Sequence, residues 1–183
     1  MEKNTYKNID DSQISISQLM LPSHSNFNGK IHGGFILSLL DQIAFACASK
    51  HSGEYCVTAS VDTVDFLKPV EIGELVTMKA SINFVGKSSM VVGVRVEAQN
   101  IQTGKVKHCN SSYFTLVAKN NHGKNMEVPG LILKSDEDIR RFVQSLQRLK
   151  NKKTHQREFA EIDFSSEKYM HLLDDYRVKL ERE

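Results

Sequence analysis

The amino-acid sequence predicts an α+β fold in which one antiparallel sheet wraps around a single long helix, with a helical extension behind it. Three observations carry this expectation. Apolar residues recur at helical spacing between positions 34 and 50, four strand-like segments follow one another between 55 and 119, and the character of the chain changes after Asn120. At 183 residues the chain is long enough for one good core and short for two. The expected organisation is one domain over residues 9–120, a linker over 121–134 and an extension over 135–183.

Each element has its own justification. Residues 12–20 alternate Ile14, Ile16 and Leu19 with polar neighbours, which suggests an opening strand. Residues 22–29 are dense in turn formers and read as an irregular loop. Ile36, Leu39, Leu40, Ile43 and Cys47 then form one stripe at three- and four-residue spacing, a largely buried helix that ends near Ser52 and Gly53. Strands are expected over 55–67, 75–85, 90–98 and 106–118, divided by Pro69 and Gly73, by the tight turn Gly86, Lys87 and Ser88, and by Gln102, Thr103 and Gly104. A sheet of this kind must cover one face, and the helix at 34–50 is the one available to it.

In the extension, Ser135, Asp136, Glu137 and Asp138 look like a helix start. Ile139, Phe142, Val143, Leu146 and Leu149 give it an amphipathic stripe, and Tyr169, Leu172, Leu173, Tyr176 and Leu180 suggest a second one. Residues 134–157 are locally basic. They are either a solvated amphipathic pair packing on an oligomer or a holder for a partner or an anionic ligand.

The formal net charge of +2 argues against nucleic acid or an acidic membrane as the main partner. The start of the sequence lacks the apolar core of a secretory signal, and the most apolar run, residues 35–48, is too short and too polar for a membrane span. Cys47, Cys56 and Cys109 form neither an even set nor a metal-type pair, so reduced thiols, no structural metal and a cytoplasmic setting are expected. The histidines are scattered and show no metal-binding spacing.

Two places could carry chemistry. The run from Asn26 through His32, Gly33 and Gly34 leads straight into the apolar helix, whose N-terminal amides could receive a carbonyl oxygen at Gly34. Alternatively, the two glycines merely let the chain turn. Asp41 lies within the hydrophobic helix, where a carboxylate must be paired, used, or turned to solvent or to a partner chain.

The order and spacing of several pieces over about 100 residues resemble one family. These are residues 22–29 around Asn26, His32-Gly33-Gly34, Leu40-Asp41, residues 57–62, Phe66-Leu67-Lys68-Pro69, Gly73 and residues 85–90. Together they are similar to the hotdog-fold acyl-CoA thioesterases of the bacterial YciA type and the related brain acyl-CoA hydrolase type. The resemblance implies a hydrolase of fatty-acid metabolism that cleaves acyl-CoA to a free acid and coenzyme A. It makes Asp41 the general base or the nucleophile, with Asn26 from the partner protomer orienting water or substrate and the amide of Gly34 or its neighbour receiving the oxyanion.

The resemblance also sets Gly86, Lys87, Ser88 and Ser89 against the coenzyme A nucleotide; read alone, they form an ordinary hairpin turn. No cofactor is implied beyond the coenzyme A of substrate and product. A homodimer is the minimal unit, assembling further as a trimer of dimers, a hexamer. Membrane insertion is not expected. The competing reading is a regulatory hotdog module that binds acyl-CoA without turnover.

Overall fold

The structure is a computed structural model that describes residues 5–165 and 169–181. It divides into two compact units, Met1–Ser145 and Leu146–Glu183, each described by itself. The first contains β1 (Tyr6–Asn8), β2 (Ile14–Leu19), α1 (Gly33–Ser52), β3 (Tyr55–Val61), β4 (Glu74–Val85), β5 (Ser89–Asn100), β6 (Val106–Lys119) and β7 (Gly130–Ile132). α2 (Asp136–Ala160) begins there and continues into the second.

β2, β4, β5, β6 and β3 make one antiparallel sheet in that order, curled around α1 as the sequence predicts. The physical reason is the match between two periods. Leu40, Ile43, Ala44, Cys47 and Ala48 on α1 are wholly buried. They meet every second residue of the strands: Val76, Met78, Ala80 and Ile82 on β4, Met90, Val92, Val94 and Val96 on β5, and Phe114, Leu116 and Ala118 on β6. Each large side chain removed from water this way contributes roughly 1.5–3 kcal/mol. α1 stops at Gly53, whose left-handed φ of 71° lets its amide cap the carbonyl of Ser49.

Three details depart from the sequence reading. β3 ends at Val61 rather than at 67: its register slips between Thr58 and Ser60, and the Asn110 side chain, rather than a ladder partner, donates to the Asp65 carbonyl. β1 and β7, three residues each, pair in parallel and escape any periodicity test. The Tyr6 ring lies on Gly130, where a Cβ would come within 2.6 Å of it. The C-terminal helical extension is supplied by α2, capped by Ser135 Oγ accepting from the Asp138 amide while Asp138 Oδ2 accepts from the Ser135 amide. The second expected stripe, in the other unit, appears as a 3-10 turn, Met170–Asp175. Upstream, Asp163 accepts from the Ser165 amide in a local turn, and residues 166–168 lie outside the described residues.

Candidate active site

Asp41 stands off the buried stripe of α1, on the side facing β3, and is exposed in the single chain. Its Oδ1 accepts a hydrogen bond from the Thr58 hydroxyl at 2.7 Å. Among the described residues nothing bonds Oδ2. The pair lines an open recess of about 510 Å³ whose other walls are Gln42, Phe45, Tyr55, Cys56 and Val57. Phe45 and Tyr55 meet edge-on at 5.6 Å and give it an apolar flank. β3 is the last strand of the sheet, so the recess opens beside an unpaired edge. Thr58 was missed by sequence reasoning. It sits in a run that reads simply as strand, and only the packing of β3 along α1 brings it to a residue 17 positions away.

Asn26 belongs to a loop that holds itself rigid. Its Oδ1 accepts from the amides of Asn28 (3.0 Å) and Lys30 (3.1 Å). Its own amide donates to the Lys30 carbonyl at 2.7 Å, and Gly29, at φ 70°, donates to the Asn26 carbonyl. These bonds decide which end of the side-chain amide is oxygen, so Nδ2 is the group left to point outward, and it can only donate.

His32 caps α1, its Nδ1 accepting from the Gly34 amide at 3.0 Å. The ring folds so closely over that amide that a Cβ on Gly34 would stand 3.1 Å from it. Hence glycine is suited to position 34 for its lack of a side chain rather than for its φ. No hydrogen bond links Asn26 or Gly34 to Asp41, and neither lines the recess. Within one chain the three expected catalytic residues therefore fall in separate places.

At the β4–β5 turn, the Lys87 carbonyl accepts from Val128, that of Ser88 from Ala118, and that of Ser89 from Gly86. With these carbonyls used inside the protein, planar trans peptides turn the following amides the other way. Register places the turn with respect to the recess. Ser89 pairs with Val117, and Val117 with Val57, next to Thr58. Two strand spacings, about 10 Å, separate them.

Of the three cysteines, Cys56 lines the recess. Burial pushes the Cys47 thiol up to about 12, and also raises that of Cys109. Both are buried, as is Cys56, and all three are free. Among the described residues no three His, Cys, Asp or Glu side chains are grouped to hold a metal ion, and no helix is long and apolar enough to cross a membrane.

Comparison with known proteins gives a consistent result. Residues 28–105 match the thioesterase superfamily. VdlD of Helicobacter pylori is 40% identical over 144 residues, covering 79% of this chain and 82% of that protein. The uncharacterized acyl-CoA thioester hydrolase YkhA of Bacillus subtilis is 33% identical, covering 82% and 89%. The mouse cytosolic acyl coenzyme A thioester hydrolase is 33% identical over 77% of this chain and 37% of its own, longer one.

Among solved structures, an apo-hexameric acyl-CoA thioesterase superposes with a TM-score of 0.80 at 32% identity, covering 82% of this chain and 96% of that one. An acyl-CoA hydrolase from Staphylococcus aureus, solved with butyryl coenzyme A and coenzyme A, gives 0.78 at 29% identity, covering 93% and 99%. Structures of that enzyme also exist with an asparagine, an aspartate or a threonine replaced by alanine.

Proposed function

The chain belongs to the thioesterase superfamily, and from that premise we propose that it hydrolyses acyl-CoA to a free fatty acid and coenzyme A at a site shared between two protomers. The observation that carries the assignment of residues is the bond between Thr58 and Asp41. Asn26, Asp41 and Thr58 are separated by fifteen and seventeen residues, the same separations as the three positions changed to alanine in the S. aureus enzyme. In one chain Asn26 and Asp41 are not joined, which supports a site completed by the partner's copy of one of them. The open edge of β3 beside the recess supports a dimer formed there.

Chemically, Thr58 holds one carboxylate oxygen of Asp41 and leaves the other for the reaction. As a base, that oxygen takes a proton from water, whose oxygen attacks the thioester carbonyl carbon. As a nucleophile, it attacks the carbonyl carbon directly, and loss of the thiolate from the resulting intermediate leaves an anhydride that water cleaves in a second step. In either case the carbonyl oxygen gains negative charge. It is received by the backbone amide of Gly34 of the partner subunit or of that residue's neighbour, displacing the His32 ring in the first case, and by Nδ2–H of Asn26 of the partner subunit. The C–S bond then breaks and coenzyme A leaves as thiolate. No step calls for a cofactor. In the turn Gly86, Lys87, Ser88 and Ser89 the Gly86 amide is spent on the Ser89 carbonyl, and the hydroxyls, the lysine and the amides that follow Gly86 suit the phosphates of the coenzyme A nucleotide.

A trimer of dimers is the assembly proposed, in keeping with a hexameric structural neighbour. A cytoplasmic setting is supported by three reduced, buried cysteines and by a relative named as cytosolic. The test is thiol release from acyl-CoAs of acetyl to palmitoyl length by wild type and Asp41→Ala, with the mass of each assembly measured. The expected result is turnover by wild type and a loss of at least about a hundredfold in an intact Asp41→Ala oligomer, the size of a lost general base. Binding of acyl-CoA without turnover at any length would instead make the chain a non-catalytic sensor.

A further inference from the structure

We propose that Phe27 reaches across to the neighbouring protomer and forms the missing apolar wall of its acyl-chain site, so that this residue sets the preference for longer acyl chains. The inference rests on the shared-site reading above. Four observations carry it.

Among the described residues Phe27 is the most exposed large hydrophobic side chain, at 111% of its reference exposure. A phenylalanine left wholly in water forgoes the burial that places this residue type inside proteins. A ring in that position is expected to find its cover elsewhere.

The exposure is not a matter of a slack loop. Asn26 Oδ1 holds the amides on either side of the tip, at Asn28 and Lys30, and the Asn26 amide closes the loop on the Lys30 carbonyl. Lys30 is further tied to Glu71 through an ion pair of 2.5 Å and a backbone bridge. A side chain presented by a pre-organised loop loses little freedom on docking.

Chain geometry then places it. Consecutive Cα atoms are about 3.8 Å apart. If Asn26 meets Asp41 of the partner subunit at the thioester carbonyl, Phe27 lies within a side-chain length of the same recess. The acyl chain begins at that carbonyl, so Phe27 is next to its first methylenes.

Finally, the recess needs such a wall. Phe45 and Tyr55 flank one side of it, yet both stay exposed at 37% and 62%, and the opposite side is open. A growing hydrocarbon chain gains from burial in proportion to its length only where it is enclosed. Phe27 would close that side, and acetyl-CoA, with one methyl group, would gain almost nothing from it.

The experiment compares kcat/KM for acetyl-, butyryl-, octanoyl- and dodecanoyl-CoA in wild type, Phe27→Ala and Phe27→Leu, with the mass of each assembly measured at assay concentration. The expected result is a loss that grows with chain length, reaching at least about tenfold for dodecanoyl-CoA in Phe27→Ala while acetyl-CoA changes by less than about twofold, with Phe27→Leu in between. An equal loss at all lengths, no loss, or a gain on long chains overturns the proposal while the hydrolase reading stands. So does dissociation of Phe27→Ala combined with an unchanged length profile in Phe27→Leu. Absence of turnover in wild type at every length overturns both, and is told apart by that fact.

Discussion

The Thr58 hydroxyl donates to Oδ1 of Asp41 at 2.7 Å, joining the edge strand of the sheet to the central helix at the proposed reacting group. A hydrogen bond to a charged group is worth about 1.5–3 kcal/mol. Thr58→Ala is therefore expected to lower kcat by roughly tenfold to a hundredfold, with the oligomer unchanged, and Thr58→Ser to restore most of it. Steady-state kinetics on the two variants checks this. Equal kcat in Thr58→Ala and wild type would remove Thr58 from the site.

His32 accepts from the Gly34 amide and so acts as the N-cap of α1. Loss of a cap costs about 1 kcal/mol, so His32→Ala should melt about 2–4 °C lower. Its activity should stay within about threefold, less than about 0.7 kcal/mol on the barrier. A drop of a hundredfold with the fold retained would make the imidazole a participant in the chemistry.

Lys87 is an exposed cation on a turn where the carbonyls of Lys87, Ser88 and Ser89 are engaged inside the protein. If its task is to hold phosphate, Lys87→Ala should raise KM for acyl-CoA about three- to tenfold and leave kcat unchanged, the pattern of lost uniform binding. The difference between variant and wild type should shrink as salt is raised toward 1 M. A fall in kcat at unchanged KM would point to a different role.

His51 is wholly buried at the end of α1, where it joins three segments. Its Nε2–H donates to the Pro129 carbonyl at 3.0 Å, its Nδ1 faces the Ser12 hydroxyl at 3.2 Å, and Lys7 bonds its backbone carbonyl. Burial is the largest influence on the ring and moves its pKa below 6.5. The Pro129 bond and Asp11 oppose that shift and Lys7 adds to it. Below 6.5 the unfolded chain therefore binds the proton more readily than the folded one. Stability is present in full above pH 6.5 and falls as pH drops through the folded value. The melting temperature should decline as pH falls below 6.5, and His51→Gln, less stable at neutral pH, should show a shallower decline. Parallel slopes for the two proteins would rule out His51 as the source.

The residues themselves made the five main strands, the central helix and its order in the chain legible, because each is long enough for an apolar period to show: an apolar stripe along α1, and alternation over most of β4, β5 and β6. They also drew attention to Asp41, as a charge among Leu37, Leu40, Ala44 and Phe45. Three-residue strands have no period to detect, which is why β1, β7 and the brace from Val128 to the Lys87 turn came only with the structure.

What the sequence by itself determined was therefore the fold, through hydrophobic spacing, and the identity of the groups able to do chemistry. What only the tertiary structure decided was their relation in space. Thr58 and Asp41 meet because a strand and a helix far apart in the chain pack side by side. Asn26 presents a donor because its oxygen is spent on its own loop. Periodicity reports which face of an element is buried, but a hydrogen bond between elements depends on their packing, and that is a property of the folded chain.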